Sequence, residues 1–308
     1  SRITETERLH QQAWNKVLYK SDAGLHGVTP WYAEDYDDSD WEKVDMFSDN
    51  WAIRNGRPLN GVHWFRKDFF VPEDWSGKEA VLRLGCIVDA DSVFVNGHFV
   101  GTVSYQYPPR IYKVPSKLLK KGKNQLTVRL FSYGGRPSFV KEKPYKLICD
   151  GKEVNLEGGW KHKIGTVMPP SPSSTAFHYT PVGLYNGMIY PLRHYTFKGV
   201  VWYQGESNVG RWSEYSSLLS ALIADWKTLF KDETLSFYII ELADFLAPDD
   251  PGRAAWAELR NQQAKTAREN AHVTLIKNSD TGEWNDIHPL DKKTAATRLV
   301  EAVIQNEK

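Results

Sequence analysis

The chain has 308 residues, of which 41% are apolar and 25% charged, and its formal net charge is +1. That length leaves room for about two domains of the usual size, and acids interspersed with bases at near-zero net charge give no electrostatic reason to expect nucleic acid or an anionic membrane as partner. No stretch approaches the roughly 18 continuous apolar residues of a membrane helix, and the two cysteines, Cys86 and Cys149, are too few for a disulfide framework or a cysteine zinc site.

Taken in chain order, Ile3, Leu9, Ala13, Val17 and Leu18 recur at helical spacing before Asp22-Ala23-Gly24 and Gly27 break the pattern, which predicts one helix over residues 1–20 and then a loop. The acidic run 35–40 lacks the glycine and the terminal glutamate of a calcium loop and is read as a solvated turn. From Trp31 to Tyr145 short apolar runs are punctuated by Gly, Pro and Asn, the texture of a β domain. Within it, Ser92-Val-Phe-Val and His98-Phe-Val-Gly-Thr-Val103 flank Asn96-Gly97, whose tolerance of positive φ predicts a two-residue hairpin. Cys86 and Cys149 are read as small buried side chains, and most of the 12 tryptophans as core, with one or two left for ligand contact.

After Gly158 the texture changes. Pro169-Pro-Ser-Pro-Ser-Ser174 is a connector, and strands are predicted at 198–204, 235–242 and 273–277. Tyr215, Leu219, Leu222, Ile223, Trp226 and Phe230 form one helical face, and Ala295, Leu299, Ala302 and Val303 another. Strand and helix in alternation mean crossover connections and a mainly parallel sheet, with Val200–Tyr203 as a buried strand.

Two polar blocks carry the chemistry. Gln204-Gly-Glu-Ser-Asn208 follows the first parallel strand, and the carboxyl ends of such strands are where open α/β sheets bind ligands. Asp286-Ile-His288-Pro289 precedes the last helix and offers a base with a carboxylate beside it. Ser207 lies on a strand, turn and helix, the elements of a nucleophile elbow; Ser207 or Asn208 equally suits a helix N-cap. His10, His26, His63, His98, His162, His178, His194 and His272 show no metal-ligand spacing, so no metal is expected.

The order and wording of these two blocks resemble the sialate O-acetylesterases, members of the SGNH hydrolases named for their Ser, Gly, Asn and His blocks. Trp64-Phe-Arg-Lys67, Asp89-Ala-Asp91, Val95-Asn-Gly97, Arg110-Ile-Tyr-Lys-Val-Pro115 and Leu119-Lys-Lys-Gly-Lys-Asn124 are similar to the jelly-roll sugar-binding domain of family 2 glycosidases, which is inserted within sialate O-acetylesterases. The resemblance implies an α/β chain: a partial SGNH, flavodoxin-like parallel sheet carrying a jelly-roll β-sandwich domain. It divides the chain into a helix and connector of the hydrolase domain at 1–30, the β domain at 31–150, and the later part of the hydrolase domain at 151–308.

The same resemblance implies roles. His288 is the base, oriented by Asp286 or alternatively Asp280, because the superfamily's usual aspartate three residues before the histidine is Asn285 here. Gly205 and Gln204 face the oxyanion, Glu206 braces the site, and Arg260 and Gln263 support it from a helix. The family's Gly-Gln-Ser-Asn-Met nucleophile block does not occur in the sequence, and the first residues show neither initiator methionine nor signal peptide. A nucleophile outside this chain is therefore expected, on an N-terminal segment with which the chain associates; Ser207 is the alternative. The expected substrate is an acetylated sugar or glycan, the compartment periplasmic or extracellular, and no cofactor is required. The rival expectation is a non-catalytic glycan-binding protein with a degenerate hydrolase scaffold.

Overall fold

Trp14 and Leu18 stand one helical turn apart and are the buried residues of helix α1 (Arg2–Ser21), so one stripe of an otherwise polar helix is held against a sheet. The computed structural model describes residues 2–176 and 180–306; His178 lies outside them. The chain divides into two units, residues 1–175 and 176–308. Among the described residues no helix is long and apolar enough to cross a membrane.

In the first unit, α1 and the short α2 (Ala23–His26) are followed by β1 (Glu42–Asp45), β2 (Ile53–Arg54), β3 (Arg57–Pro58), β4 (Gly61–Val71), β5 (Ala80–Leu84), β6 (Ile87–Val88) and β7 (Ala90–Val95). Then come β8 (His98–Val103), β9 (Ile111–Val114), β10 (Gly122–Ser132), β11 (Ser138–Phe139), β12 (Tyr145–Cys149), β13 (Lys152–Asn155) and β14 (Gly159–Val167). They build a six-stranded antiparallel sheet, ordered β1-β14-β4-β10-β7-β8, a four-stranded one, ordered β13-β12-β5-β9, and the two-stranded pairs β2-β3 and β6-β11. Alternation along β4 and β10 explains their near-continuous burial. Phe65, Phe69, Val71, Leu126, Val128 and Leu130 share one core with Leu82, Leu84 and Leu147 of the smaller sheet, while Val62, Trp64 and Phe131 point the other way, to Trp14, Leu18, Trp31 and Trp41. Both faces of the large sheet are thus covered.

Polar anchors fix these layers. Asp22, fully buried, accepts hydrogen bonds from Trp64 Nε1 at 2.8 Å and Arg129 Nε at 2.7 Å. A side chain at Gly165 would collide with its carboxylate. Arg110 and Asp91, neither exposed, pair at 2.6 Å, and Arg110 also donates to the carbonyls of Ile87, Asp89, Gln106 and Pro108. A buried ion pair persists only when its remaining protons and lone pairs are satisfied. Asn96 (φ 47°) and Gly97 (φ 80°) make the hairpin turn between β7 and β8, and Cys86 and Cys149 are buried.

Several placements differ from the sequence expectation. The first helix packs on the β sheets, and β13 and β14 lie beyond residue 150 yet belong to those sheets: β14 pairs with β1 and β4. The unit runs to Thr175, because β14 fills the gap between those two strands. The run 35–40 is not merely solvated. Asp38 pairs with Arg66 at 2.8 Å and with Lys161 at 2.5 Å; burial alone would raise its pKa, but these cations bring it below the ordinary carboxylate value.

The second unit contains β15 (Gly199–Trp202), α3 (Tyr215–Phe230), β16 (Ser236–Ile240), α4 (Arg253–Glu269), β17 (Val273–Ile276) and α5 (Lys292–Asn306). Its strands form a parallel sheet ordered β15-β16-β17. Tyr215, Leu219 and Ile223 of α3 and Trp256 and Leu259 of α4 pack with Phe237 and Ile239. Tyr238 and Ile240 meet Ala295, Leu299, Ala302 and Val303 of α5. Successive side chains of β16 thereby serve opposite layers. Among the described residues β15, expected to be buried, is an edge strand bonded only to β16, and Val201 is 51% exposed.

Candidate active site

The carboxyl ends of the three parallel strands carry the polar groups. After β15, Gly205 adopts φ 155°, and a Cβ there would lie 2.7 Å from Leu259 Cδ2. Only glycine enters that conformation and space readily. We expect Gly205→Ala to lower stability by about 1–3 kcal/mol, measurable by urea unfolding; unchanged stability would show that the turn is not constrained in this way.

Gln204 is held from several sides. Its backbone carbonyl accepts Tyr215 Oη at 2.7 Å and Gln263 Nε2 at 3.2 Å, and its side-chain Nε2 donates to Asn208 Oδ1 at 2.8 Å. Gln263, fully buried, also receives the Leu242 N–H on Oε1 at 2.9 Å, so one side chain of α4 ties the ends of β15 and β16 together. Arg260 pairs with Asp244 at 3.2 Å, as does Arg253 at 2.8 Å. Both residues expected to brace the edge from a helix make contacts there.

Two details were not legible in the sequence. The Gly205 N–H donates to Glu206 Oε2 at 2.9 Å, so a carboxylate occupies the direction in which an oxyanion would be received. Ser207 is exposed, and the helical turn starting at Glu206 has no side-chain cap; Asn208 instead serves Gln204. Neither residue is the expected N-cap.

Beyond β16 and β17, Glu241, 5% exposed, accepts the backbone N–H groups of Asn278 at 3.1 Å and Ser279 at 3.2 Å, and Lys277 Nζ at 3.2 Å. Burial works to raise its pKa, and these donors outweigh it to leave a net lowering. Glu241 thus holds the loop leaving β17, a role the sequence did not signal. Gly282 packs so closely on the Asp244 backbone that any Cβ would clash, and Asn278 Nδ2 reaches Tyr203 Oη at 3.2 Å.

On the following loop Asp286 is 8% exposed and its Oδ1 accepts the backbone N–H of His288 at 2.9 Å. That bond closes an Asx-type turn. The same oxygen lies 4.0 Å from His288 Nδ1, and the imidazole is 54% exposed. A separation of 4.0 Å exceeds a hydrogen bond, although catalytic contacts are often long before substrate binds. Ile287 between them packs on the α3/α4 core, and of its two neighbours Asp286 is buried while the His288 imidazole faces outward. Asp280 is engaged elsewhere: Arg298 grips both its oxygens at 2.6 and 2.7 Å and holds its pKa down to about 2. Of the two candidate orienters, Asp286 is the one beside His288. A cavity of about 440 Å³ lined by Lys198, Gly199, Ser236 and Asn306 lies at the opposite, amino-terminal edge of the strands and contains none of these residues.

Residues 160–305 match the family model described as carbohydrate esterase, sialic acid-specific acetylesterase, and residues 4–161 match that of the glycosyl hydrolases family 2 sugar binding domain. A sialate O-acetylesterase of Mus musculus is 32% identical over 136 residues, 38% of this chain and 24% of that protein. That of Rattus norvegicus is 32% identical over 174 residues, 51% of this chain and 30% of that protein. The chain therefore spans about a quarter to a third of these relatives. Among solved structures, a carbohydrate acetylesterase from Xanthomonas citri is 20% identical, covers 71% of this chain and 68% of its own, and superposes with a TM-score of 0.34.

Proposed function

Because the chain belongs to the sialic acid-specific acetylesterase family of carbohydrate esterases, we propose that it supplies the base and the oxyanion side of a serine esterase acting on O-acetylated sugars. In this reading the parallel sheet is part of an SGNH-type sheet and the antiparallel unit is a jelly-roll insertion that contacts carbohydrate. The observation that carries it is the Asp286–His288 turn beyond β17 at the carboxyl edge of the sheet, with Gln204 and Gly205 after β15 at the same edge, β16 lying between the two strands. A serine hydroxyl from outside these 308 residues attacks the acetyl carbonyl, and His288 removes its proton, with Asp286 stabilising the imidazolium. Gly205 N–H and the Gln204 amide receive the developing oxyanion once Glu206 swings away. The imidazolium returns its proton to the leaving sugar oxygen; water, deprotonated by the same imidazole, then attacks the acyl-serine carbonyl, and the imidazolium reprotonates the serine oxygen as its bond to the acyl carbon breaks and acetate leaves.

Ser207 is the competing nucleophile, and its exposure keeps that reading open to test. The purified 308-residue chain is incubated with an activated acetate ester and a serine-directed phosphonate. No turnover and no label on Ser207, with labelling of a serine elsewhere in a longer, active form, supports the proposal. Turnover with the label on Ser207 would replace it.

A further inference from the structure

Across β4, β10 and β14 of the first unit, the strand ends and the loop 34–38 enclose a polar cleft of about 320 Å³, within the size range of small-molecule sites. Its lining includes three carboxylates, Glu34, Asp38 and Asp68, and three cations, Arg66, Lys123 and Lys161. The cations are already matched: Arg66 and Lys161 to Asp38, and Lys123 to Asp68 at 3.0 Å. A charged ligand would have to compete with these pairs. A neutral ligand bearing hydroxyls would not, since each hydroxyl both donates and accepts and can bond the unused capacity of the paired groups.

A second observation points to a missing donor. Gln125, directly across from Asp68 on the neighbouring strand, lines the cleft and is 7% exposed, and its Oε1 is buried with no hydrogen-bond partner among the described residues. Buried polar atoms are nearly always satisfied, so this one calls for explanation. For a ligand in the cleft to reach that oxygen, the side-chain amide must turn about its last bond. The surroundings are fixed in advance. Arg66, 1% exposed, donates to the carbonyls of Trp31 and Ala33, and Asn96 bonds Asn124 Oδ1 at 2.8 Å and receives the Gln125 N–H at 2.8 Å. Such preorganisation lowers the ordering cost of binding.

We propose that this cleft binds a neutral pyranose unit, with Gln125 Oε1 and Asp68 accepting its hydroxyl protons. The inference rests on the reading of the β unit as carbohydrate-contacting and adds the place and the ligand class. The probes are methyl β-D-galactopyranoside and methyl β-D-glucopyranoside, with glucuronate and N-acetylneuraminate as anionic counterparts, titrated into the whole chain and followed by saturation-transfer NMR. We expect a neutral glycoside to bind better than either anion. Gln125→Met, which keeps the volume, is expected to weaken binding by about tenfold, the loss of one hydrogen bond left unmade on a buried group. Asp68→Asn, on a 40% exposed side chain, does the same without risk to the core and decides the matter if the first variant unfolds. Binding is read without any ester turnover, through the Gln125 and Asp68 variants alone, so that failure of the esterase reading leaves this result intact. No neutral binding, preference for the anions, or unaltered binding in the Asp68 variant overturns the proposal.

Discussion

His288→Ala is expected to lower kcat for an acetyl ester by at least roughly a thousandfold in a form of the protein that turns over. The imidazole is the only base that the Asp286 turn presents at the sheet edge, and serine acylation without a base loses nearly all of its advantage. The fold has little at stake. The side chain is 54% exposed, so its removal leaves no buried cavity, and stability should change by no more than about 0.5 kcal/mol. KM should move little, because proton transfer is an interaction of the transition state. Asp286→Asn should also reduce kcat, but it retains an oxygen able to accept the His288 N–H, now made at 2.9 Å. Near-normal turnover by the histidine variant would remove His288 from the mechanism.

What the sequence disclosed and what it hid divide along a physical line. Asn96-Gly97 was readable because a positive-φ turn is a property of two adjacent residues, and the three parallel strands because apolar runs alternate with helical faces. The helix at residues 2–21 was equally plain, but its partner was not. Its attachment depends on Trp14 and Leu18 meeting Trp31, Trp41 and Trp64, contacts with no local signature. The same holds for β14, which follows the β texture by many residues yet sits between β1 and β4. Edge and centre strands share composition, so Val201 gave no warning of its exposure. At the site, the types and order of residues were legible, whereas the Glu206 carboxylate on the Gly205 N–H and the grip of Arg298 on Asp280 are matters of rotamer and neighbour. The latter separates two aspartates that the sequence left as alternatives.

The first unit should lose several kcal/mol of stability between pH 7 and pH 4, centred on a buried histidine pair that has no part in the proposed chemistry. His63 and His162 are 1% and 4% exposed, and His63 Nδ1 lies 3.0 Å from His162 Nε2. The Leu59 carbonyl, 2.8 Å from His63 Nε2, can only accept, so that nitrogen carries the proton. Nδ1 is then an acceptor, and His162 Nε2–H donates to it, a fully neutral arrangement. Burial pushes the His63 pKa down to about 4 against the opposing effect of the Leu59 carbonyl. Burial, followed by the neighbouring His63, takes His162 down to about 3. In the unfolded chain both titrate near the ordinary histidine value of about 6.5. Above that pH neither state binds the protons and the full stability is present; below it the unfolded state takes them up first, and stability falls until the folded pKa values are reached. At about 1.4 kcal/mol per unit, His63 alone accounts for roughly 3 kcal/mol and His162 for more. Urea unfolding at pH 7 and pH 4.5 measures the loss, and His162→Gln, whose amide can still donate to His63, should make the difference between the two pH values distinctly smaller. An equal loss in parent and variant would mean that other groups, such as the ion-paired carboxylates, set the acid limit.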